Sequence, residues 1–278
     1  SLHMDLTFLG SAAAEAWPAL FCACEACAGA RKLGGRNIRR RTSYRLGEHT
    51  HIDWGPDTCA ACLALGLDMS SVTDLIVTHS HSDHFTPHEL YFRRPGYSVV
   101  PEDRVLSVYG PAGVGDALGE KFDDPALFRL CFAELAPFVE TPVNADCSVT
   151  ALPATHGINI GGAFTYILRA LDSGRTVLIG HDTGWYDQEV WDFLAGKSLD
   201  VVIMDTTYGF RAERRHHLGC PDVVEVMQVM EASGAVARDC RFIANHFSHN
   251  GLWLHDQLVE FFAPHGIDVG YDGMIVTL

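Results

Sequence analysis

The chain has 278 residues, of which 47% are hydrophobic and 10% aromatic, and this is enough for a substantial core. Its formal net charge of −15 at pH 7 argues against a surface that coats nucleic acid, because the phosphates would be repelled from most directions. It contains no run of eighteen or more apolar residues, so we expect no membrane span. Nine cysteines, an odd number, indicate thiols and metal ligands rather than a disulfide framework.

The first residues, Ser1-Leu2-His3-Met4, lack the charged and apolar regions of a secretory signal. We therefore expect residues 1–3 to be a cloning remnant before a native Met4, and a cytoplasmic location. No internal repeat, low-complexity tract or linker interrupts the rest. We expect one domain over residues 4–278.

Short apolar runs bounded by turn residues predict strands at 6–9, 43–46, 50–53, 75–78, 106–109, 148–152, 163–168, 176–179, 201–204, 241–244, 268–270 and 275–278. Helical patterns cover 58–65, 112–119, 125–135, 187–195, 221–233 and 253–262, and a further helix is expected from Pro87. We expect loops around Cys22–Cys27 and over the basic residues 31–41. Many strands with interspersed helices, and no dinucleotide-binding glycine pattern, indicate two packed sheets flanked by helices.

The stretch His79-Ser80-His81-Ser82-Asp83-His84 directly follows an apolar strand and carries four metal-ligand side chains in six residues. Imidazole and carboxylate are ligands that borderline divalent metals prefer. The spacing cannot place all four side chains on one helical face. We therefore expect a strand-end loop that curls around two ions, which makes this a predicted binuclear metal site.

Three later predicted strands also run into metal-ligand residue types. His156 follows the strand 148–152, Asp182 lies in a glycine turn after 176–179, and His246 follows 241–244. Functional residues collect on loops at strand ends because the sheet fixes their position without covering them. Each residue alone is an ordinary cap or hydrogen-bonded histidine, but together with the first cluster they favour one shared site.

These residues together resemble the full ligand set of the metallo-β-lactamase superfamily. The resemblance implies an α+β fold, an αββα four-layer sandwich with a binuclear site at one edge. It implies one ion on His79, His81 and His156, a second on Asp83, His84 and His246, and Asp182 as the bridge. A shared anionic ligand suits two cations roughly 3.5–4 Å apart. The implied nucleophile is a metal-bridging hydroxide, and Asp83 counts as catalytic as well as a ligand. Histidine and carboxylate accept manganese, zinc and iron alike.

A second cluster, Cys22-x-Cys24-x-x-Cys27, lies in a loop at about 20–28, and His249 follows His246 by three residues. Three thiolates and one imidazole would complete a closed tetrahedral zinc that performs no chemistry. This arrangement resembles the PhnP-like phosphodiesterases of the superfamily. Such a structural zinc would tie the cysteine loop to the loop that carries His246. A loop of free thiols is the alternative.

The PhnP-like resemblance points to phosphodiesters, whose leaving alkoxide needs a proton, and histidine is the natural donor near neutral pH. In Arg214-Arg215-His216-His217-Leu218, His217 aligns best with a non-ligand active-site histidine of such enzymes. His216 is the alternative donor, and an exposed polar loop is the third interpretation.

No substrate-binding residue is assigned. The basic cluster Arg36, Arg39, Arg40 and Arg41 is expected to be a solvated turn, with a phosphate contact as the alternative. His181 departs from the small or hydroxyl residue that usually precedes the bridging aspartate. Strand alternation would turn it away from the metals, so it is left out of the site.

The leading hypothesis is a metal-dependent phosphodiesterase acting on a small cyclic or nucleotide-like phosphodiester. The alternatives are a tRNA-processing nuclease, which the net charge disfavours, and a lactonase or thioesterase. A metal-bound binding protein on an inactive scaffold would predict missing ligands, and all seven positions are filled. The expected partner is a small phosphorylated molecule rather than nucleic acid or membrane, and a homodimer is left open.

Overall fold

The computed structural model describes residues 3–157 and 159–278, and its strands form two seven-stranded sheets. The strands are β1 (Asp5–Gly10), β2 (Ser43–Leu46), β3 (Thr50–Ile52), β4 (Asp74–Ile76), β5 (Leu106–Gly110), β6 (Leu130–Glu134), β7 (Glu140–Pro142), β8 (Cys147–Pro153), β9 (Phe164–Ala170), β10 (Thr176–Gly180), β11 (Leu199–Asp205), β12 (Val236–Asn245), β13 (Ile267–Val269) and β14 (Ile275–Thr277). The helices are α1 (Glu25–Leu33), α2 (Thr58–Leu65), α3 (Ala112–Lys121), α4 (Gln188–Leu194), α5 (Cys220–Ser233) and α6 (His255–Phe262).

The strand order places the carboxyl ends of several strands at a common edge. The first sheet runs β14-β1-β2-β3-β4-β5-β6 and the second β13-β12-β11-β10-β9-β8-β7. Neighbours are parallel from β3 to β6 and from β10 to β13, while β9 is antiparallel to both β8 and β10. β8 therefore points the same way as β10. Loops at the carboxyl ends of such strands are the usual place for a ligand site.

Apolar side chains fill three layers of packing. Between the sheets, residues such as Phe8, Ile76, Val149 and Ile179 are buried in one cluster with side chains from both sheets. A second cluster covers the outer face of the second sheet with α4, α5 and α6, and a third packs α3 against the first sheet. The expected αββα sandwich is confirmed, because each sheet buries one face on its partner sheet and the other under helices.

Several local predictions differ from the structure. The expected helix over 125–135 is a 3-10 helix (Pro125–Phe128) followed by β6, and the helix expected from Pro87 is a 3-10 helix (Pro87–Arg93). The sequence patterns also gave no sign of β7 or α1. The apolar residues of 125–135 fit either period over so short a stretch, and pairing with β5 decides for a strand.

None of the helices in the described ranges is both long enough and apolar enough to cross a lipid bilayer.

Candidate metal centre

The predicted ligands meet at the shared edge of the two sheets. The segment His79–His84 follows β4, His156 follows β8, Asp182 follows β10, and His246 follows β12. All seven side chains therefore come from loops that start at the carboxyl ends of strands. Their ligand atoms fall into two neighbouring groups, and within each group the atoms lie within 4.8 Å of one another.

Unusual backbone conformations aim some of these side chains. Asp182 has φ 53° and His246 has φ 63°, both in the left-handed region that non-glycine residues rarely adopt. His246 comes directly after the last residue of β12, and one residue separates Asp182 from the end of β10. Such conformations cost free energy and cluster at functional sites, where the surrounding structure holds them in place.

Close backbone packing fixes the loop of the first motif. Trp54 donates its backbone N–H to His84 O at 2.8 Å, directly before Gly55. A β-carbon on Gly55 would lie 2.0 Å from Asp83 O, so only glycine fits at this position. The turn after β3 thus supports the loop that carries the predicted ligands.

The first group contains His79, His81 and His156. His79 Nε2 lies 2.9 Å from His81 Nδ1, and the rings of His79 and His156 are 5.0 Å apart. His156 Nδ1 lies 3.2 Å from His216 O, so it donates its proton to that carbonyl and leaves Nε2 with a lone pair. Three imidazole nitrogens converging in this way form a metal-binding arrangement.

The second group contains Asp83, His84, Asp182 and His246. His84 Nε2 lies 2.9 Å from Asp83 Oδ2 and also contacts the Asp182 carboxylate, while His246 Nε2 is 3.4 Å from Asp182 Oδ2. Asp182 also faces the first group, at 3.7 Å from both His79 Nε2 and His156 Nε2. Its position between the groups is the one expected for a bridging carboxylate.

These donors fit a divalent ion. His84 Nε2 and His246 Nε2 are buried beside carboxylate oxygens, yet neither makes an aligned hydrogen bond with the residues that the structure describes. Buried polar atoms are almost always paired, so an unpaired one calls for an explanation. Both nitrogens face carboxylate oxygens, and a cation between them would satisfy nitrogen and oxygen together.

The titration of the cluster shows a surplus of negative charge. Burial lowers the pKa of His79 and of His156, which favours the neutral rings that metals bind. Burial alone would also lower the pKa of His246, but Asp182 and Asp205 raise it to about 10. The same two carboxylates would favour a metal cation at this position.

Two buried aspartates that the sequence analysis missed hold the ligands from behind. Asp53, after β3, accepts hydrogen bonds from His84 Nδ1 at 2.6 Å and His181 Nε2 at 2.8 Å. Burial alone would raise the pKa of the Asp53 carboxyl, but these two histidines hold it well below its usual range. Asp205 ends β11, and its Oδ2 lies 3.4 Å from His246 Nδ1. Carboxylates behind ligand histidines fix the tautomer and ring orientation.

Five of the seven predicted ligands, namely His81, Asp83, His156, Asp182 and His246, line a cavity of about 500 Å³, whose other lining residues include Glu15, Tyr208, Arg211, His217, Ser248 and Asn250. His217 Nδ1 lies 3.0 Å from Asp205 Oδ2, and His217 also neighbours Asp182. Burial alone would lower the pKa of His217, but Asp205 outweighs it and the pKa is raised. The His216 side chain is not among the lining residues, although it is the alternative donor by sequence.

The second predicted site also assembles. The three Sγ atoms of Cys22, Cys24 and Cys27 and a ring nitrogen of His249 lie within 4.8 Å of one another. His249 Nδ1 lies 3.5 Å from Cys22 Sγ and 3.4 Å from Cys24 Sγ. Hydrogen bonding to His249 lowers the pKa of the Cys24 thiol to about 6, whereas burial raises that of Cys27 to about 11. Three sulfurs with one imidazole are a donor set for structural zinc.

The two clusters are linked through Glu15. Its Oε1 accepts a hydrogen bond from Ser248 Oγ at 2.5 Å and lies 3.3 Å from His249 Nε2. This contact turns His249 Nδ1 toward the sulfurs. Because Glu15 also lines the cavity beside the predicted metal ligands, the cysteine cluster borders that cavity.

The basic cluster is not the solvated turn that was expected. Arg39 is fully buried and donates to Gly270 O at 2.6 Å, and burial lowers its pKa to about 10. Arg40 pairs with Asp272 and Arg41 with Asp57. These arginines hold the N-terminal loops against distant parts of the chain, and none of them lines the catalytic cavity.

The sequence matches the family described as the beta-lactamase superfamily domain over residues 50–238, well over half of the chain. The chain belongs to this superfamily. A comparison with curated protein sequences finds no match. Together with the convergent histidine and carboxylate donors, membership in the superfamily identifies a metal-dependent hydrolase.

Solved structures share this fold over nearly their whole length. A diphosphatase from the PhnP family is 18% identical with a TM-score of 0.76, and the match covers 99% of this chain and 97% of that one. Zn²⁺-bound PqqB from Methylobacterium extorquens is 17% identical with a TM-score of 0.74 over 99% and 100%. The short form of human tRNase Z is 17% identical with a TM-score of 0.66 over 98% of each chain. Identities this low establish the fold alone.

Proposed function

We propose that the protein is a binuclear phosphodiesterase that hydrolyses a small cyclic or nucleotide-like phosphodiester. The observation that carries the proposal is His217, which lies beside the Asp182 carboxylate and is held by Asp205 at the base of the cavity. A phosphodiester leaves an alkoxide that must take up a proton, and a histidine at this position can supply it. The solved structures of similar fold, among them a PhnP-family diphosphatase and a tRNase Z, lend support.

In this proposal, one set of residues binds the metal ions and His217 transfers the proton. His79, His81 and His156 would hold one divalent ion, Asp83, His84 and His246 the other, and Asp182 both. When bound, such ions activate water and offset negative charge on the phosphoryl oxygens. Asp205 accepts a hydrogen bond from His217 Nδ1, which orients the ring and leaves Nε2 to carry the proton for the leaving group.

The cavity suits a small anionic substrate. Its volume of about 500 Å³ lies within the range of small-molecule sites. Arg211 lines it and has no carboxylate partner in the described part of the chain, so its guanidinium is available for a phosphate. The chain's net charge of −15 disfavours a long RNA, which must approach over a wide surface.

A hydrolysis panel with separate zinc, manganese and iron forms tests the function. The panel contains cyclic ribose phosphates, cyclic nucleotides, an aryl phosphodiester, a precursor tRNA, a lactone and a thioester. We expect the small phosphodiesters to be cleaved with the highest kcat/KM. A higher kcat/KM for the lactone or thioester contradicts the proposal, and preferential cleavage of the tRNA moves the substrate to nucleic acid.

The His217→Ala variant should retain both metal ions but lose roughly 10²- to 10⁴-fold in kcat on phosphodiesters, the usual contribution of a general acid. The measurement combines elemental analysis with steady-state kinetics. His216→Ala is the matched control, because its side chain does not line the cavity, and it should keep near-normal kcat. The reverse result would assign proton donation to His216, and two near-normal variants would assign it to water.

A further inference from the structure

The loop that carries the bridging aspartate also carries a buried histidine that the proposed function does not use. His181 directly precedes Asp182 and is completely buried. Its Nε2 donates to Asp53 at 2.8 Å, while its Nδ1 has no hydrogen-bond partner within the described residues. A buried, unpaired nitrogen costs stability, so an apolar residue would serve better if packing were its only role.

His181 lies behind two of the predicted ligands of the second ion. Its ring is nearly parallel to that of His84, at 5.0 Å and 12°, and to that of His246, at 5.6 Å and 12°. Tyr44 packs on His181 at 5.7 Å and 24°. The position of the His181 ring therefore limits how far either ligand ring can tilt.

A single oxygen atom joins His181 to His84. Asp53 Oδ2 accepts from His84 Nδ1, from His181 Nε2 and, at 3.0 Å, from Thr78 Oγ1, while the Thr78 backbone N–H donates to Oδ1 at 2.7 Å. With His84 Nδ1 committed as a donor, His84 Nε2 keeps its lone pair for a metal. The donor from His181 joins that from Thr78 Oγ1 in holding the oxygen in the position that His84 needs.

We infer that His181 is a positioning residue for the second metal position, formed by Asp83, His84 and His246. It acts through the shared Asp53 oxygen on His84 and by ring stacking on His246. The inference rests on the two-ion site of the proposed function but not on its substrate. The sequence analysis left His181 out of the site because strand alternation turns it away from the predicted ion positions. In this inference the side chain does turn away, but it supports the predicted ligands from behind.

Three variants separate positioning from general packing. His181→Leu removes the ring and the donor, whereas His181→Gln keeps an amide donor near the place of Nε2. His51→Leu is the matched control, because His51 is also fully buried on a strand but contacts Arg45, at 2.9 Å, rather than any predicted ligand. Metal affinity is measured by titrating metal-free protein with Co²⁺ against a chromogenic chelator, together with the cobalt absorption spectrum.

We expect His181→Leu to bind one of the two catalytic cobalt ions about 10- to 100-fold more weakly, the usual effect of losing a group behind a ligand. His181→Gln should recover most of this affinity, and His51→Leu should match the wild type. Wild-type affinity in His181→Leu, or equal losses in the leucine and glutamine variants, would overturn the inference. If the leucine variant fails to fold, His181→Asn replaces it, because its shorter amide cannot reach Asp53.

The binding measurement needs no substrate, so the two proposals fail separately. If the wild type cleaves no phosphodiester but the cobalt affinities follow the expected order, the proposed function falls and the role of His181 stands. If the diesters are cleaved and His181→Leu binds cobalt normally, the function stands and the role of His181 falls.

Discussion

The Asp182→Asn variant should lose at least ~10³-fold in kcat/KM and bind fewer than two catalytic metal ions per chain. Asp182 faces both donor groups, since its oxygens lie near His79, His156, His84 and His246. An amide cannot supply the negative charge that two neighbouring cations share. Losing several kcal/mol of metal-derived stabilisation corresponds to this drop in rate. Elemental analysis and kinetics at saturating metal check the result.

Asp172→Asn is the matched control for Asp182→Asn, because Asp172 is an exposed aspartate in the turn between β9 and β10. It should keep both the metal content and the rate of the wild type. Full metal content with full activity in Asp182→Asn would contradict the bridging role. It would leave the two donor groups as independent sites.

The Cys24→Ser variant should lose one zinc ion per chain and unfold at a lower temperature, with a smaller effect on the chemistry. Serine cannot replace a thiolate in a site of three sulfurs and one imidazole. Zinc at about 1,000 times its Kd stabilises the native state by about 4 kcal/mol. At about 2 °C per kcal/mol for a chain of this size, Tm should fall by about 8 °C. Elemental analysis and calorimetry measure the two effects.

Cys131→Ser is the control for the cysteine cluster, because Cys131 is also an exposed free thiol but lies on β6, away from His249. It should change neither the zinc content nor Tm. An unchanged zinc content in Cys24→Ser would show that the cluster is a loop of free thiols.

Loss of the zinc should also disturb the cavity, because Glu15 lines the cavity and contacts His249 of the cysteine cluster. His249 lies three residues after His246, and Glu15 contacts His249 while lining the cavity. Without the zinc, His249 and Glu15 would be held less firmly, and the shape of the cavity would change. A moderate rise in KM with little change in kcat is the kinetic sign of such a disturbance.

The candidate ligand residues could be picked out from the sequence because they lie in short loops after strands with a clear apolar pattern. His79 to His84 come after an apolar run, and Asp182 and His246 come after two more. Loops at the carboxyl ends of parallel strands meet at one edge, so local patterns were sufficient to bring these side chains together. The cysteine cluster could also be predicted from the sequence, since three of its four members lie within six residues.

Asp53 and Asp205 could not be predicted in the same way. A single aspartate at a strand end is ordinary in sequence, and Asp53 is simply the last residue of the predicted strand 50–53. Only the pairing of β3 with β4, and of β11 with β12, brings the two carboxylates behind the histidines. The available signal was that each aspartate lies at or directly after the end of a strand, as Asp182 nearly does.

For the arginine cluster, the sequence predicted exposure where the structure shows that Arg39 is buried. Four arginines between glycines and polar residues indicate a solvated turn, yet Arg39 is buried against Gly270 and His255. Its partners lie more than 200 residues away, and no local pattern contains them. Burial of a charged side chain is decided by the hydrogen bonds available at the end of folding, not by its neighbours in sequence.

The sequence alone indicated twelve of the fourteen strands in the described residues, the seven candidate ligands and the cysteine cluster, because these depend on residue type and short spacing. Tertiary structure alone decided which nitrogen of each histidine carries a proton, through partners such as Asp53 for His84 and Asp205 for His217. It also placed His181 against Asp53, His84 and His246, the contacts on which its proposed positioning role rests. Hydrogen bonds between distant strand ends set these features, and their geometry exists only once the two sheets have packed together.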